Sequence, residues 1–265
     1  MLDITNAKCV VLLTFDFDAE SAEVRKTPDL PVKLSKGQFG PRVGIGRIFE
    51  FLKKHNIKST FFVPGWTADH YPQETRDILR DGHEIAAHGY LHENFSEMTG
   101  RDEWRALRKS VDSLTRVVGV KPAGFRAPYW DWSNRTLGYL GKIGFMYDSS
   151  LMSDDKPFTI AEEHSTGGMC ELPVENFLDD WPLFEIQHQS PSNVLDSWRR
   201  EFNAVYSTTK YFMLTMHPEC IGRASRISML DELVNEISHR PDVVFSRCDE
   251  FVEALHKRVH TDKTS

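Results

Sequence analysis

The stretch that decides the fold lies near the N-terminus and reads VVLLTFDFD at residues 10–18. Its first six residues are β-branched or bulky and almost all apolar, a pattern typical of a buried strand. The run then ends in two acids, Asp16 and Asp18. Short apolar runs of this kind alternate along the chain with stretches of helical spacing. This alternation predicts an α/β protein built on a parallel sheet.

Strand and helix patterns follow one another in six or seven units. Apolar runs predict strands at 10–15, 60–63, 84–87, 124–127, 145–148, 171–174, 211–216 and 243–246. Helical spacing predicts helices at 43–54, 75–80, 101–118, 133–142, 194–206, 225–238 and 249–258. Such a sheet can close into a (β/α) barrel or stay open and doubly wound, and periodicity leaves both alternatives open. In either fold, we expect the chemistry at the carboxyl ends of the strands.

Two long polar stretches, at 19–41 and 149–170, interrupt the alternation and are rich in Pro, Gly, Ser and Asp. Loops of this length are uncommon in a compact domain unless they are functional lids or disordered. Because each stretch follows a strand end, we expect lids. No composition shift marks a linker, so we expect one domain over 1–265 with a flexible tail at about 259–265.

Composition and charge exclude several classes of protein. The 265 residues include 40% hydrophobic and 11% aromatic side chains, too many for a disordered chain. The chain has 32 Lys plus Arg against 39 Asp plus Glu, a net charge of −7. This negative charge does not favour binding to nucleic acid or to an anionic membrane. The four cysteines form no CxxC pair, and the N-terminus lacks the features of a signal peptide. We therefore expect a cytoplasmic protein that binds neither nucleic acid nor membrane.

Two pairs of polar residues after predicted strands could carry chemistry. Asp16 and Asp18 are two apart, so in an extended segment their carboxylates point to the same face. His88 and His92, in the motif HGYLH, share a face if the segment turns helically, which would offer two imidazoles to one metal. Both pairs also have an ordinary interpretation, because the acids could cap a turn and the histidines could lie apart on the surface.

Two further motifs are an Arg-Pro-aromatic turn and a strand-terminal histidine. Arg126 opens the run RAPYWDW at 126–132, where a guanidinium could hold a carboxylate and aromatic side chains could line a pocket. The alternative is a surface salt bridge beside packed Trp130 and Trp132. His217 ends the apolar run LTM and precedes a proline. A lone histidine at such a place is more often structural than catalytic.

The four motifs, taken in this order, resemble those of the polysaccharide deacetylase family, which is family four of the carbohydrate esterases. The family pattern is a strand ending in Thr-Phe-Asp-Asp, then His-Ser/Thr-x-x-His, then Arg-x-Pro-Tyr/Phe, and finally a strand ending in His. The resemblance extends from about residue 10 to residue 217. It implies a distorted (β/α) barrel of seven or eight strands with its site at the strand carboxyl ends.

The resemblance implies that Asp18, His88 and His92 are metal ligands. Two imidazoles and a carboxylate suit Zn²⁺ with a position left open for water. The same donors also suit Fe²⁺, Co²⁺, Ni²⁺ and Mn²⁺. A metal held in this way can lower the pKa of bound water and polarise an amide carbonyl.

The resemblance also implies the reacting groups. Asp16 would be the general base, oriented and charge-stabilised by Arg126, and His217 would be the general acid. The backbone N–H of Tyr129 would help hold the oxyanion. Amide hydrolysis needs both a base and an acid, because the attacking water must lose a proton and the leaving nitrogen must gain one.

Two departures from the family pattern bear on the substrate. Phe17 separates acids that are usually adjacent, and Gly89 stands where Ser or Thr is usual. Both features resemble the family's intracellular branch, which includes a peptidoglycan-deacetylase-like protein, allantoinase-type enzymes and cyclic imide hydrolases. Members of that branch are often oligomers, so the resemblance is also compatible with a homo-oligomer.

We therefore expect a metal-dependent hydrolase of non-peptide amide bonds that acts on a small cyclic imide, ureide or other small amide. Trp130 and Trp181 would wall its cavity. One alternative is an N-deacetylase of polysaccharide or peptidoglycan that contains N-acetylglucosamine. Another is an inactive, metal-binding homologue.

Overall fold

In the computed structural model, residues 7–160 and 168–262 are described, with side chains described as far as residue 257. The centre of the fold is a nine-stranded sheet. Its strands are β1 (Cys9–Asp16), β2 (Thr60–Val63), β3 (Glu84–Ala87), β4 (Gly124–Phe125), β5 (Tyr147–Asp148), β6 (Phe158–Ile160), β7 (Met169–Glu171), β8 (Tyr211–Met216) and β9 (Val243–Phe245). Eight of them follow the order β6–β7–β5–β4–β3–β2–β1–β8, and β9 pairs with the first half of β1. The paired strands are parallel except β6 and β7.

The curled sheet is a distorted (β/α) barrel, as predicted. The chain after β7 returns to β8, where Asp179 forms a parallel bridge with Thr215. The open, doubly wound alternative is therefore not the fold.

Helices cover the outside of the barrel. They are α1 (Ser21–Lys26), α2 (Pro31–Phe39), α3 (Ile45–His55), α4 (Gly65–His70), α5 (Pro72–Arg80), α6 (Gly100–Val118), α7 (Thr136–Ile143), α8 (Pro191–Ser207), α9 (Pro218–Ile221), α10 (Ala224–Ser238) and α11 (Cys248–Asp262). Among the described residues, no helix is both long enough and apolar enough to cross a bilayer.

Strand β1 is buried along its whole length and explains how the barrel becomes polar at one end. Alternate side chains point to opposite faces of a strand. Val11 and Leu13 pack in the core under the helices, whereas Val10 and Leu12 pack in the second core inside the barrel. Thr14 and Asp16 continue the series of Val10 and Leu12 on the same face of the strand, and both are polar. The carboxyl ends of the strands therefore enclose polar groups.

The predicted strands and helices have observed counterparts, with shifts of a few residues at their ends. The stretch at 19–41 was expected to be a loop, but it contains α1 and α2. These helices are short and polar, and α2 contains Pro31 and Gly37, so the sequence gives only a weak helical signal for them. Within the second predicted loop lies β6, and residues 161–167 are outside the described residues.

Of the predicted tail, residues 259–262 continue α11, while 263–265 fall beyond the described part of the chain. The single domain over 1–265 stays a prediction.

The buried acid Glu84 links several elements at the end of the barrel where the strands begin. Its Oε2 accepts hydrogen bonds from the Thr60 hydroxyl at 2.7 Å and the Asp249 N–H at 3.0 Å. Its Oε1 accepts one from the Tyr147 hydroxyl at 2.8 Å. Burial, followed by the charge of Asp249, raises the pKa of Glu84 from 4.5 to about 7. The protonated form of Glu84 is therefore favoured by folding.

Substituting Glu84→Gln should reduce the loss of stability with rising pH. An unfolded chain loses this proton near pH 4.5, whereas the folded protein keeps it up to about pH 7. The free energy of unfolding therefore decreases across that window, and the loss is complete above it. A glutamine does not ionise, so the variant should lose about 2–3 kcal/mol less than wild type between about pH 5 and about pH 8. Urea denaturation at both pH values measures this difference.

The matched control is Glu50→Gln on the exposed side of α3. It should follow the wild-type pH dependence. An equal decline in Glu84→Gln and wild type would contradict the proposed protonation.

Candidate active site

Asp18, His88 and His92 converge at the carboxyl ends of β1 and β3, as the sequence predicted. The distance from His92 Nε2 to Asp18 Oδ2 is 3.1 Å, and that from His88 Nε2 to Asp18 Oδ1 is 3.5 Å. One ligand atom from each of the three residues lies within 4.8 Å of the other two. All three side chains are buried.

The two histidines do not converge through a helical turn, which was the condition stated for the motif. The segment after β3 is irregular at residues 88–94. Gly89 has a φ of +69° and His92 has a φ of +51°, both in the left-handed region. For a residue with a Cβ, such a backbone is strained and usually occurs where the surrounding structure enforces it. The convergence of His88 and His92 therefore depends on tertiary contacts.

The donor set fits a divalent metal ion. Asp18 Oδ1 is buried and has no hydrogen-bond partner among the described residues. An unsatisfied buried carboxylate oxygen is costly unless a cation or donor completes its environment. His88 Nδ1 lies 2.8 Å from the backbone oxygen of Arg126, which leaves Nε2 facing Asp18. This is the outer-shell contact that orients metal-binding histidines.

The charges in this cluster stabilise one another. Burial disfavours the ionised form of Asp18, but His92, His88 and His217 together hold its pKa well below the usual range. For His92, burial is outweighed by Asp18, and the pKa is raised to about 9. For His88, burial dominates and lowers the pKa. The carboxylate of Asp18 and the imidazole of His92 therefore each favour the charged form of the other.

Arg126 holds the second acid, Asp16, in a buried ion pair. The distance from Arg126 Nη1 to Asp16 Oδ1 is 2.7 Å, and both side chains are almost fully buried. The other Asp16 oxygen, Oδ2, lies 3.7 Å from His88 Nε2. Asp16 therefore lies next to the candidate metal-ligand cluster, with one of its oxygens held in place by Arg126.

The guanidinium of Arg126 is anchored on every nitrogen. Nη1 also donates to the Thr14 hydroxyl at 3.0 Å, and Nε donates to the Ser149 carbonyl at 3.1 Å. Nη2 donates to Ser149 Oγ at 3.0 Å and contacts Met213 Sδ at 3.2 Å. Phe62 lies against the guanidinium, whose carbon is 3.9 Å from the ring centroid. The alternative of a surface salt bridge is therefore wrong.

His217 lies on the opposite side of the cluster, with its Nε2 3.8 Å from Asp18 Oδ2. Its Nδ1 is 2.8 Å from Asp180 Oδ1, and its backbone N–H donates to Asp180 at 3.1 Å. Asp179 Oδ1 is 3.6 Å from the same Nδ1. Burial opposes protonation of His217, but Asp179, Asp180 and Asp18 outweigh it and raise the pKa of His217 well above its usual value.

Asp179 and Asp180 were not predicted as site residues from the sequence. They precede Trp181 in a segment with no recognisable periodicity, so their only signal was a pair of adjacent acids. Together with His217 they are also close enough to form a second group of candidate metal ligands. The hydrogen bond to Nδ1 instead favours a histidine oriented and kept protonated by carboxylates.

A cavity of about 470 Å³ opens over these groups. Asp16, Asp18, His88, His92 and His217 line its floor. Trp130 and Trp181, which were predicted to wall a cavity, line it, and so does Tyr129.

Tyr129 and Trp130 occupy a tight turn at the mouth of the cavity. Their φ angles are +60° and +53°. A strained turn of this kind can present a backbone group toward a ligand. Burial raises the pKa of Tyr129, but His92, Lys26 and Arg25 outweigh it, so the pKa is lowered overall.

Helices α1 and α2 cover one side of the cavity and contribute Ala22, Lys26 and Lys33 to its wall. Arg25 Nε donates to the His92 carbonyl at 3.1 Å, and Lys26 lies 4.2 Å from the ring centroid of Tyr129. The stretch at 19–41 therefore acts as a lid, as predicted from its position.

A second cover lies opposite the lid, and residues 161–167 of the predicted stretch at 149–170 are outside the described residues. Residues 176–186 supply the opposite wall, including Asn176 and Ile186, whereas the described residues of 149–170 supply no lining side chain. Lys36 of the lid forms an ion pair with Glu185 and lies 4.5 Å from the ring centroid of Trp181. The two covers therefore touch each other.

Fold and site together define a (β/α)-barrel protein in which a buried cluster of candidate metal ligands is flanked by Asp16 and His217. Residues 3–147 match the family model "Polysaccharide deacetylase". A peptidoglycan deacetylase of Helicobacter pylori is 30% identical over 262 residues, which cover 87% of this chain and 89% of that one. The chain therefore belongs to the polysaccharide deacetylase family, whose members hydrolyse carbon–nitrogen bonds other than peptide bonds.

Solved structures share the whole fold. A Mycobacterium smegmatis structure assigned to polysaccharide deacetylases is 36% identical, with a TM-score of 0.88 over 95% of this chain and 91% of that one. The PuuE allantoinase has the same TM-score at 19% identity, over 95% of this chain and 91% of that one. At that identity the allantoinase supports the fold only.

The variant His92→Ala should lose its metal while the barrel stays folded, because it removes one of three predicted ligands. Zn²⁺ should raise the melting temperature of wild type, as a ligand of the folded state does, and should leave that of the variant almost unchanged. Elemental analysis and circular dichroism measure metal content and fold. His239→Ala, on the exposed end of α10, is the control and should bind Zn²⁺ like wild type. Full metal content in His92→Ala would contradict the ligand assignment.

Proposed function

We propose that Asp18, His88 and His92 hold a divalent metal, with Zn²⁺ as the first choice, and that the protein uses it to hydrolyse a non-peptide amide bond. The observation that carries this proposal is the buried cluster of two imidazoles and a carboxylate flanked by Asp16 and His217. When bound in such a site, the metal lowers the pKa of a bound water and polarises a carbonyl group. Fe²⁺, Co²⁺, Ni²⁺ and Mn²⁺ suit the same donors.

Asp16 is the proposed general base. Arg126 fixes its Oδ1, which leaves Oδ2 directed toward the ligand cluster, 3.7 Å from His88 Nε2. A carboxylate that takes a proton from water must stay outside the ligand set and keep its orientation. The anchored guanidinium supplies both the orientation and the opposite charge.

His217 is the proposed general acid. Asp180 holds its Nδ1, so its Nε2 faces Asp18 and the cavity. A protonated imidazole there can give its proton to the leaving nitrogen. The strained turn at Tyr129 supports the assignment of the Tyr129 N–H to the developing oxyanion.

The first candidate substrate is an N-acetylated amino sugar. It is supported by the name of the Helicobacter pylori relative, which aligns with most of this chain. In this case the acetyl carbonyl would be attacked, and Trp130 and Trp181 would stack against the sugar ring. The saccharide could be a polymer or a short oligomer.

The second candidate is a small cyclic imide or ureide. The lid and residues 176–186 cover the cavity from two sides, and an enclosed site favours a ligand that can be surrounded. The cavity of about 470 Å³ also lies within the range of ordinary small-molecule sites. Trp130 and Trp181 would then wall a flat ring. Cytoplasmic location and homo-oligomer formation stay predictions.

The two aspartates should respond differently to the same substitution. Asp16→Asn should keep the metal and lose about 10²–10⁴-fold in kcat, because the base is gone while the ligands remain. Asp18→Asn should lower the metal content itself. Metal analysis of both variants, followed by assays at saturating Zn²⁺, measures the split. Equal metal content in both, with activity lost only in Asp18→Asn, would reverse the assignment.

Parallel assays separate the two candidate substrates. Metal-loaded wild type should be tested on succinimide, hydantoin, allantoin and chitooligosaccharides. Acetate release from chitooligosaccharides would support the amino-sugar substrate, and ring opening of the small compounds would support the second candidate. Asp16→Asn should be inactive on whichever compound wild type hydrolyses. Hydrolysis of none of them, with each of the candidate metals, would contradict both substrate classes.

A further inference from the structure

Two buried acids near Arg126 have no part in the proposed mechanism. Asp148 ends β5 and Glu171 ends β7, and the two residues are paired in register on neighbouring parallel strands. Both are fully buried, and neither lines the cavity. Acids are almost never buried to this extent unless their oxygens have specific partners. The partners of this pair therefore indicate what it does.

Glu171 holds the segment that follows β5. Its Oε1 accepts hydrogen bonds from the backbone N–H groups of Ser150 and Leu151, each at 2.9 Å. Strand β5 ends at Asp148, so these two groups lie beyond the strand. Buried backbone N–H groups need an acceptor, and a single carboxyl oxygen serves both. The path of residues 149–151 therefore depends on Glu171.

Asp148 ties the same segment to the residue that follows Arg126. The Ser150 hydroxyl accepts the backbone N–H of Ala127 at 2.9 Å and lies 2.9 Å from Asp148 Oδ1. A hydroxyl has one hydrogen, and here it is donated to Asp148. The segment is thus fixed at its backbone by one acid and at a side chain by the other.

The two carboxyl groups also bind each other. Asp148 Oδ2 and Glu171 Oε2 are buried and accept from no N–H or hydroxyl group among the described residues. A hydrogen bond joins the two acids, which requires one proton between them. Burial, followed by the charge of Asp148, raises the pKa of Glu171 to about 10. A glutamine at this position would reproduce the contacts, because its oxygen can accept both N–H groups while its nitrogen donates to Asp148.

The segment at 149–151 in turn holds the guanidinium of Arg126. The Ser149 carbonyl accepts from Nε at 3.1 Å, and the Ser149 hydroxyl oxygen accepts from Nη2 at 3.0 Å. The third nitrogen, Nη1, donates to Asp16 Oδ1 at 2.7 Å. A guanidinium is planar, so its nitrogens cannot move independently. A shift of Ser149 would therefore rotate Nη1 away from Asp16.

We propose that Glu171 is a positioning residue that orients Arg126 through the segment at 149–151 and, through Arg126, the carboxylate of Asp16. Because Glu171 does not line the cavity, it acts on the reaction only through this chain of hydrogen bonds. Misplacing a reacting group by about 1 Å can cost about 10²-fold in rate. The inference rests on the proposed function, in which Asp16 is the base, and extends it to a residue outside the cavity.

Hydrogen exchange at the Arg126 Nε–H measures this positioning without turnover. The group is buried and bonded to Ser149, so it should exchange slowly in the zinc-loaded wild type, as followed by NMR with ¹⁵N-labelled arginine. Glu171→Met removes both oxygens at similar size and should accelerate the exchange about tenfold, the loss of one net hydrogen bond. Glu171→Gln should keep a rate close to that of wild type.

Leu233→Ala separates positioning from a general loss of stability. Leu233 is buried in α10, and its apolar side chain takes no part in the hydrogen bonds of the segment. Exchange through global unfolding reports stability, so the Arg126 rate is compared with those of the best-protected backbone amides in each variant. Acceleration confined to Arg126 in Glu171→Met supports the proposal.

An unchanged Arg126 rate in Glu171→Met, or an acceleration shared by all protected amides as in Leu233→Ala, overturns the proposal. Fast exchange in Glu171→Gln also contradicts it. If Glu171→Met does not fold, Glu171→Asp takes its place, because the shorter side chain withdraws the oxygens from the two N–H groups. It should then show the acceleration expected of Glu171→Met.

Turnover tests the role in the reaction, on whichever compound wild type hydrolyses. Glu171→Met should keep its zinc and its KM and lose at least about tenfold in kcat, whereas Glu171→Gln should keep most of kcat. In an Asp16→Asn background, Glu171→Met should have little further effect, because residues that act as one unit are not additive. Equal losses in both backgrounds contradict an action through Asp16.

The exchange rates and the turnover assays fail independently. Full kcat in Glu171→Met would leave the proposed amide hydrolase standing and would overturn the positioning role. An Arg126 exchange rate that depends on Glu171, in a protein that hydrolyses no amide, would support the orientation of Arg126 by Glu171 and contradict the proposed function.

Discussion

The buried ion pair between Arg126 and Asp16 is the contact on which the rest of the site depends. A guanidinium with no exposed surface is costly unless all its donors are used. Here every nitrogen is bonded or in contact, and its partners come from β1, from the chain after β5 and from β8. One side chain therefore holds three regions of the barrel together and fixes the orientation of Asp16.

The same residue connects Asp16, the proposed base, to the candidate metal-ligand cluster. The backbone oxygen of Arg126 holds His88 Nδ1, while its side chain holds Asp16. A shift of Arg126 would therefore disturb a proposed ligand and the proposed base together. On the other side, Asp180 holds His217 in a comparable way. The proposed base and acid are thus fixed by buried partners that do not themselves need to touch the substrate, an arrangement that keeps a site preorganised.

The lid covers this site, which the strand ends alone would leave open. Helices α1 and α2 reach Tyr129 through Arg25 and Lys26, and they reach residues 176–186 through Lys36. These contacts turn the mouth of a barrel into a covered cavity. Two segments far apart in the sequence, 19–41 and 176–186, therefore enclose the same site.

The sequence by itself determined the class of fold and the residues of the floor. Burial on both faces makes strands such as β1 apolar along their length, and acids or histidines at their ends stand out against that pattern. Only the tertiary structure decided the rest. Asp179 and Asp180 gave no periodic signal, and the HGYLH pair converges through positive φ angles and not through a helix. Residues 176–186, which no sequence pattern singled out, also cover the cavity. Such features depend on contacts between residues far apart in the chain, which local patterning does not encode.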